Sequence, residues 1–263
     1  MTEHKKIILN AGSGSRSAGR IPPMFNEQEW SEVRLDIFPA NEPDIVGSIV
    51  DMRALVGDAM VDVIYSSHAI EHLHAHEVIP AFREFRRVLK PGGFAIVTCP
   101  SLVAIARFIL AEGAEAIAYE SPAGAIRPID MLYGHSEFIA NGATYMAHHT
   151  GFTAQRLGRV AMNAGFSEVR VIEGKFFDIW GLLLTPETSW DALKKLFTGS
   201  VLEPLLTLDK VAKEQAAAQV APQAGAQAAA QVAPQTGAQA AAQVAPRPAD
   251  ESAARTATQP GPA

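Results

Sequence analysis

The 263 residues are enough for one large domain, or for a domain with an extension. With 48% hydrophobic and 19% charged residues the composition suits a protein with a substantial core, and a net charge of -6 without a dense Lys/Arg run argues against a chain built to coat nucleic acid. Cys99 is the only cysteine, which excludes an intramolecular disulfide and fits a reducing compartment.

The opening residues Met1–Lys6 lead into only three apolar residues, Ile7-Ile8-Leu9, which is too short for the core of a signal peptide. No stretch approaches the roughly 20 apolar residues of a membrane span. The expectation is a cytoplasmic protein with no membrane partner.

Lys6–Ala11 reads as a buried strand that runs into the glycine turn Gly12-Ser13-Gly14. A dinucleotide fingerprint would need a third glycine at Ser17, and Gly19 comes two residues late. Gly14 and Gly19 have phosphate-loop spacing, but Arg20-Ile21 follow where Lys-Ser/Thr is required, so a Walker loop is excluded. Further strands are expected at Val33–Asp36, Ile45–Gly47, Val61–Ser66, Phe94–Cys99 and Val169–Glu173. Between them Glu77–Leu89 has Val78, Phe82, Phe85 and Leu89 spaced for one buried helical face, and Lys90-Pro91-Gly92-Gly93 stops it. Thr153–Ala164 is a second helix, with Thr153 placed to cap it and Gly165 to end it. Strands alternating with helices indicate a mostly parallel, doubly wound α/β sheet. Residues 100–150 read as an irregular insertion, longer than an ordinary connection and therefore expected to be functional.

The chain then changes character. Three near-copies of a 12-residue Ala/Gln/Pro unit begin at Gln215, Gln227 and Gln239. Each offers a single valine to bury and a proline that interrupts helix, so a disordered tail is expected over 213–263, with the folded part over 1–212.

Five features in order resemble the class I S-adenosylmethionine-dependent methyltransferases, of the methyltransferase type 11 kind. Asn10-Ala11-Gly12-Ser13-Gly14 is similar to the family's first motif, although the family usually has an acid where Asn10 stands. Val33-Arg34-Leu35-Asp36 places a carboxylate at the end of the second strand, 22 residues after Gly14. Ile49-Val50-Asp51-Met52 resembles the adenine-holding stretch. Val61–Leu73 resembles the fourth motif with its Glu71-His72-Leu73 helix start, and Arg87–Gly93 resembles the turn that follows. Gly151–Gly174 looks like the family's last helix and antiparallel hairpin. The resemblance implies a Rossmann-like sheet and S-adenosylmethionine as cofactor, held by Asn10, Gly12, Gly14, Asp36, Ile37, Asp51, Met52 and Ser67. Asp36 would take the ribose hydroxyls, Asp51 the adenine amine, and Met52 would pack on the ring. A plain turn cap at Asp36 and an N-cap for a short helix Met52–Val56 at Asp51 are the structural alternatives.

The substrate side is expected in the insertion, where Tyr133, His135 and His148 stand beside glycines, together with His68 at the end of a strand. Either His148 or His135 has the right chemistry for a general base. His68-Ala-Ile-Glu71-His72 spells an H-x-x-E-H zinc signature. It follows a strand directly instead of lying mid-helix, so no metal is expected and His72 reads as a packed or capping residue. The implied function is methyl transfer to a small-molecule acceptor, without nucleic acid as partner. The rival is a non-catalytic binding module on the same fold, and a dehydrogenase is a distant third.

Overall fold

The computed structural model describes residues 5–16, 21–121 and 124–208; the Ala/Gln/Pro repeats lie outside them. The strands are β1 (Lys6–Ala11), β2 (Trp30–Asp36), β3 (Ile45–Val46), β4 (Val61–Ser67), β5 (Leu89–Pro100), β6 (Tyr119–Ser121), β7 (Gly124–Ile126), β8 (Glu168–Glu173) and β9 (Asp178–Leu184). Seven form one sheet in the order β3-β2-β1-β4-β5-β9-β8. Strands β1 to β5 are parallel, and β9 runs antiparallel to both β5 and β8. Sheet order reverses beside β1, between the β2 and β4 sides, which is where doubly wound folds open a ligand crevice.

The apolar strand runs fill both faces of the sheet, as buried parallel strands require. Alternate residues divide between two cores. Leu9, Ala11, Ile64, Ala95, Val97 and Cys99 face one side, whereas Ile8, Val63, Tyr65, Phe94 and Ile96 face the other. Helix α1 (Val78–Val88) joins the first core through Val78, Ala81, Phe82, Phe85 and Val88, the expected three- and four-residue spacing. Three further helices, α2 (Leu102–Glu112), α3 (Pro128–Tyr133) and α4 (Ser136–Ala140), precede α5 (Ala154–Asn163). Thr153 caps α5 by accepting the Arg156 N–H at 3.1 Å, and Leu157 and Ala161 bury its inner side. Helices α6 (Trp190–Phe197) and α7 (Pro204–Thr207) close the second core with Leu193, Phe197 and Leu205.

Three expectations change. Residues 100–150 are not irregular: they hold α2, the β6–β7 hairpin, α3 and α4. Helix α2 escaped notice because Leu102–Leu110 is apolar almost all round, while Ile105 alone is buried, so no polar face marks the helical period. Ser101 starts it by accepting the Ala104 N–H at 3.2 Å. Lys90–Gly93 is a bulged lead-in to β5, which already pairs at Leu89, instead of a free turn. Met52–Val56 is a single turn, with Leu55 and Val56 both donating to the Met52 carbonyl, so Asp51 caps no helix.

Glu84 of α1 ties this turn to the core. Its Oε2 accepts the Met52 N–H at 2.7 Å, and Arg87 clasps both oxygens at 2.7 and 2.8 Å. The Arg87 hydrogen bonds hold the Glu84 carboxyl below its ordinary range, against the opposing effect of burial. A carboxyl lowered by folding contributes stability that is complete above its unfolded value and is lost as pH falls through its folded value. Thermal unfolding of Glu84→Gln should therefore show a loss of about 1–3 kcal/mol at neutral pH, and the gap to the parent chain should close in acid.

Candidate functional site at the carboxyl edge of the sheet

The carboxyl ends of β1, β2, β4 and β5 bring most of the expected residues to one edge. The glycine turn begins where β1 ends. Gly12 and Gly14 have φ of 74° and 62°, the left-handed region that favours glycine. Their surroundings differ. A Cβ on Gly12 would collide with the Ala69 methyl, whereas one on Gly14 would meet none of the described residues within 4 Å. Gly12 is thus a packing glycine, and Gly14 leaves open space.

Asp36, almost buried at the end of β2, holds this turn. Its Oδ2 accepts the Gly14 N–H at 2.8 Å, and its Oδ1 accepts from the Phe38 N–H at 2.9 Å and the Asn41 amide at 3.0 Å. A carboxylate offers about four acceptor positions, so this one keeps room for a further donor. Ile37, next along, is 62% exposed.

Asn10 is buried and faces sideways. Its amide donates to Glu32 at 2.7 Å, and Glu32 pairs with Arg34 at 3.0 Å. The Arg34 Nη2 then donates to the carbonyls of Ser13, Gly14 and Ser15 at 2.9–3.1 Å. An acid at position 10 would oppose Glu32; the amide links to it. Glu32 and Arg34 were not anticipated. Their one sequence signal is a pair of charges at alternate positions of an otherwise inward-facing strand.

The residues expected beside adenine divide. Met52 lies wholly inside the core with Ile49 and Val56, so its side chain is not at the surface of the crevice. Asp51 is exposed, but Arg53 grips both its oxygens at 2.6 and 2.8 Å and holds its carboxyl down to about 2. Any adenine amine has to share that carboxylate. Ser67 is half-buried at the last position of β4, opposite Thr98 of β5.

Beyond Ser67 the chain turns at His68, whose φ of 50° is uncommon for a side-chain-bearing residue and is held by its N–H bonding to the Thr98 carbonyl at 2.9 Å. The His68 Nδ1 meets the buried Glu71 Oε1 at 3.2 Å. Burial opposes the charge on both groups, yet their mutual contact prevails: it raises the His68 imidazolium and lowers the Glu71 carboxyl relative to their ordinary values. Glu71 and His72 lie in a one-turn 3-10 segment.

Three of the four expected substrate-side residues gather here. His68, His135 and His148 line a cavity of about 170 Å³ together with Glu71, His72 and Tyr119. Burial pushes the His148 imidazole below its ordinary value, favouring the neutral ring. Tyr133 is the exception. It is 63% exposed and outside the cavity, because α3 turns it to solvent; only its carbonyl takes part, accepting the His148 N–H at 3.1 Å. Cys99 is fully buried, and burial raises its thiol far above the usual range, as suits an inert core residue. A larger cavity of about 460 Å³, lined by Lys6, Trp30, Asp62 and Phe94, sits at the opposite, amino end of the strands and contains none of these groups.

Residues 29–97, from β2 through most of β5, match the family model of a methyltransferase domain. That match stops short of the β1 glycine turn and of the segment from 100 to 150, and it supports S-adenosylmethionine as the cofactor. Among solved structures, the chain resembles a SAM-dependent methyltransferase from Archaeoglobus fulgidus at 11% identity, over 70% of this chain and 88% of that one, with a TM-score of 0.45. It also resembles the Burkholderia thailandensis 1,6-didemethyltoxoflavin-N1-methyltransferase at 13% identity, over 71% and 72% of the two chains, with a TM-score of 0.41. For the citrinin polyketide synthase CMeT domain the figures are 15% identity, 70% of this chain, a TM-score of 0.45, and only 47% of that structure's length. Likenesses this distant carry no argument about substrate. A search of curated proteins finds no match.

The two glycines give a direct check on the packing of this turn. Both substitutions to alanine meet an unfavourable φ, about 1–2 kcal/mol, but only Gly12→Ala also clashes. Thermal melts should place Gly12→Ala clearly below Gly14→Ala, and equal melting temperatures would show that Ala69 yields without cost.

Proposed function

We propose that this chain is an S-adenosylmethionine-dependent methyltransferase acting on a small-molecule acceptor, with the nucleoside over the β1 turn and the acceptor in the histidine-lined cavity. A cytoplasmic location belongs to the same reading. The observation that carries it is the contact between Gly12 and Ala69. Ala69 sits between His68 and Glu71, so the cofactor turn and the substrate cavity share a wall.

The residues present fit an adenosyl group. Gly14 leaves its side-chain space open, and Asp36 retains acceptor capacity at the lip of the crevice. When bound, the sulfonium cofactor supplies a methyl group already activated toward nucleophiles. The chain then has to align the acceptor, exclude water and remove a proton. Asp36 fixes the turn, and the Arg34 guanidinium holds its carbonyls from the other side. His68 is oriented through its Nδ1 by Glu71, which leaves Nε2 to take the acceptor's proton. His135 and His148 shape the remaining wall. No triad is needed for such a displacement, and alignment carries most of the work.

Calorimetry of the full chain with S-adenosylmethionine and S-adenosylhomocysteine tests the reading. Binding of both is expected, with Asp36→Ala weaker by about 1–3 kcal/mol for the lost buried hydrogen bonds. No binding by either at millimolar concentration would overturn the enzyme assignment. Unchanged affinity in Asp36→Ala would overturn its ribose role. His68→Asn is expected to keep the fold, since asparagine tolerates the left-handed region, and to bind the cofactor normally while losing methyl transfer. Normal binding with no turnover of any acceptor by the parent chain would favour a non-catalytic binding module.

A further inference from the structure

We propose that Glu71, His72 and His148 form a binding site for one divalent first-row transition-metal ion, with zinc the best chemical fit. The proposal departs from the sequence expectation of no metal, and it does not depend on the methyltransferase reading.

A carboxylate oxygen of Glu71 and one ring nitrogen each of His72 and His148 lie within 4.8 Å of one another. The His72 and His148 rings stand edge to face with centroids 4.8 Å apart. Proximity alone is common, and two further observations point to a ligand.

The first concerns the ring nitrogens. The His72 Nδ1 contacts the Ala147 carbonyl at 3.2 Å, and the His148 Nδ1 contacts the Met131 carbonyl at 2.9 Å. A carbonyl oxygen only accepts, so each Nδ1 carries a proton, and the neutral form of either ring has its lone pair on Nε2. Zinc-binding histidines are typically oriented this way, with the remote N–H anchored on a carbonyl or carboxylate.

The second is an orphaned charge. Glu71 is 1% exposed, and while Oε1 meets His68, its Oε2 has no hydrogen-bond partner among the described residues. A buried carboxylate oxygen left unpaired is costly, and an ion is one of the few things that relieves it.

The donor set is two imidazoles and one carboxylate, the combination that selects zinc-like ions over magnesium or calcium. Bonds of about 2.0–2.2 Å require the donors to close by roughly an ångström, and both histidines are only partly buried. Three protein ligands leave a fourth position. Because all three residues line the cavity of about 170 Å³, that position opens into it. A hydroxyl or thiol from a small molecule is the ligand class such a position takes.

The neighbourhood contains a competing surface cluster. His74 stacks on His149 at 4.2 Å and on His76 at 5.8 Å. The test must separate the two. Full-length protein stripped with a chelator is titrated with Zn²⁺ by calorimetry and with Co²⁺ by visible absorption. One equivalent is expected, with Co²⁺ bands of a four-coordinate site and a rise in melting temperature. His72→Ala and His148→Ala should each weaken binding at least tenfold, while a His74→Ala/His76→Ala double variant should bind like the parent. Glu71→Gln should also weaken it, and circular dichroism shows whether that variant folds. Absence of stoichiometric binding would overturn the site, as would unchanged affinity in both His72→Ala and His148→Ala. Loss confined to the His74/His76 variant would assign the metal to the surface cluster instead. None of these readouts involves cofactor or methyl transfer, so failure here leaves the methyltransferase reading standing.

Discussion

Glu71 anchors the candidate site at both ends of its own residue. Its carboxylate, buried beside His68, sets the orientation of that ring. Its carbonyl accepts the N–H groups of His149 and Thr150 at 2.9 and 3.2 Å, which pins the far end of the 100–150 segment against the sheet. One residue in the middle of a single 3-10 turn therefore fixes both halves of the cavity. A buried acid at that position is tolerable only because imidazoles surround it; without them burial would drive the carboxyl toward its neutral form.

The side proposed for the cofactor depends on a parallel arrangement. A chain of polar contacts runs from Asn10 through Glu32 to Arg34 and ends on three carbonyls of the glycine turn. Asp36 approaches the same turn from its N–H side. Backbone donors and acceptors are thus both satisfied by β2, and the turn is shaped before any ligand arrives. Preorganisation of this kind lowers the ordering cost of binding.

Much of this was legible in the sequence where a local rule governs. The apolar run before Gly12 marked β1, the spacing of Val78, Phe82 and Phe85 marked α1, and Asp36 at a strand end marked the edge of the crevice. Helix α2 was not legible, because apolar residues run almost all round it and no polar face marks the helical period. Tyr133 and Met52 were misleading for the opposite reason. Their types suit a pocket, but side-chain direction depends on the tertiary position of α3 and of the turn after β3. Glu32 and Arg34 act only through β1–β2 registry, in which Arg34 falls opposite Asn10, and a pairing between strands 24 residues apart leaves no trace in a single sequence. His148 reaches His72 across 76 positions by the same kind of long-range pairing.

The fastening of the 100–150 segment has one more implication. The two hydrogen bonds from His149 and Thr150 to Glu71 join main chain to main chain, so they ask nothing of the side chains there except that neither be proline. Drift in the lining residues of this segment can therefore reshape what the cavity admits without loosening its attachment to the sheet. A scaffold clasped by peptide groups in this way is suited to diversification: chimeras that exchange the segment between related chains inherit the clasp whatever sequence they bring.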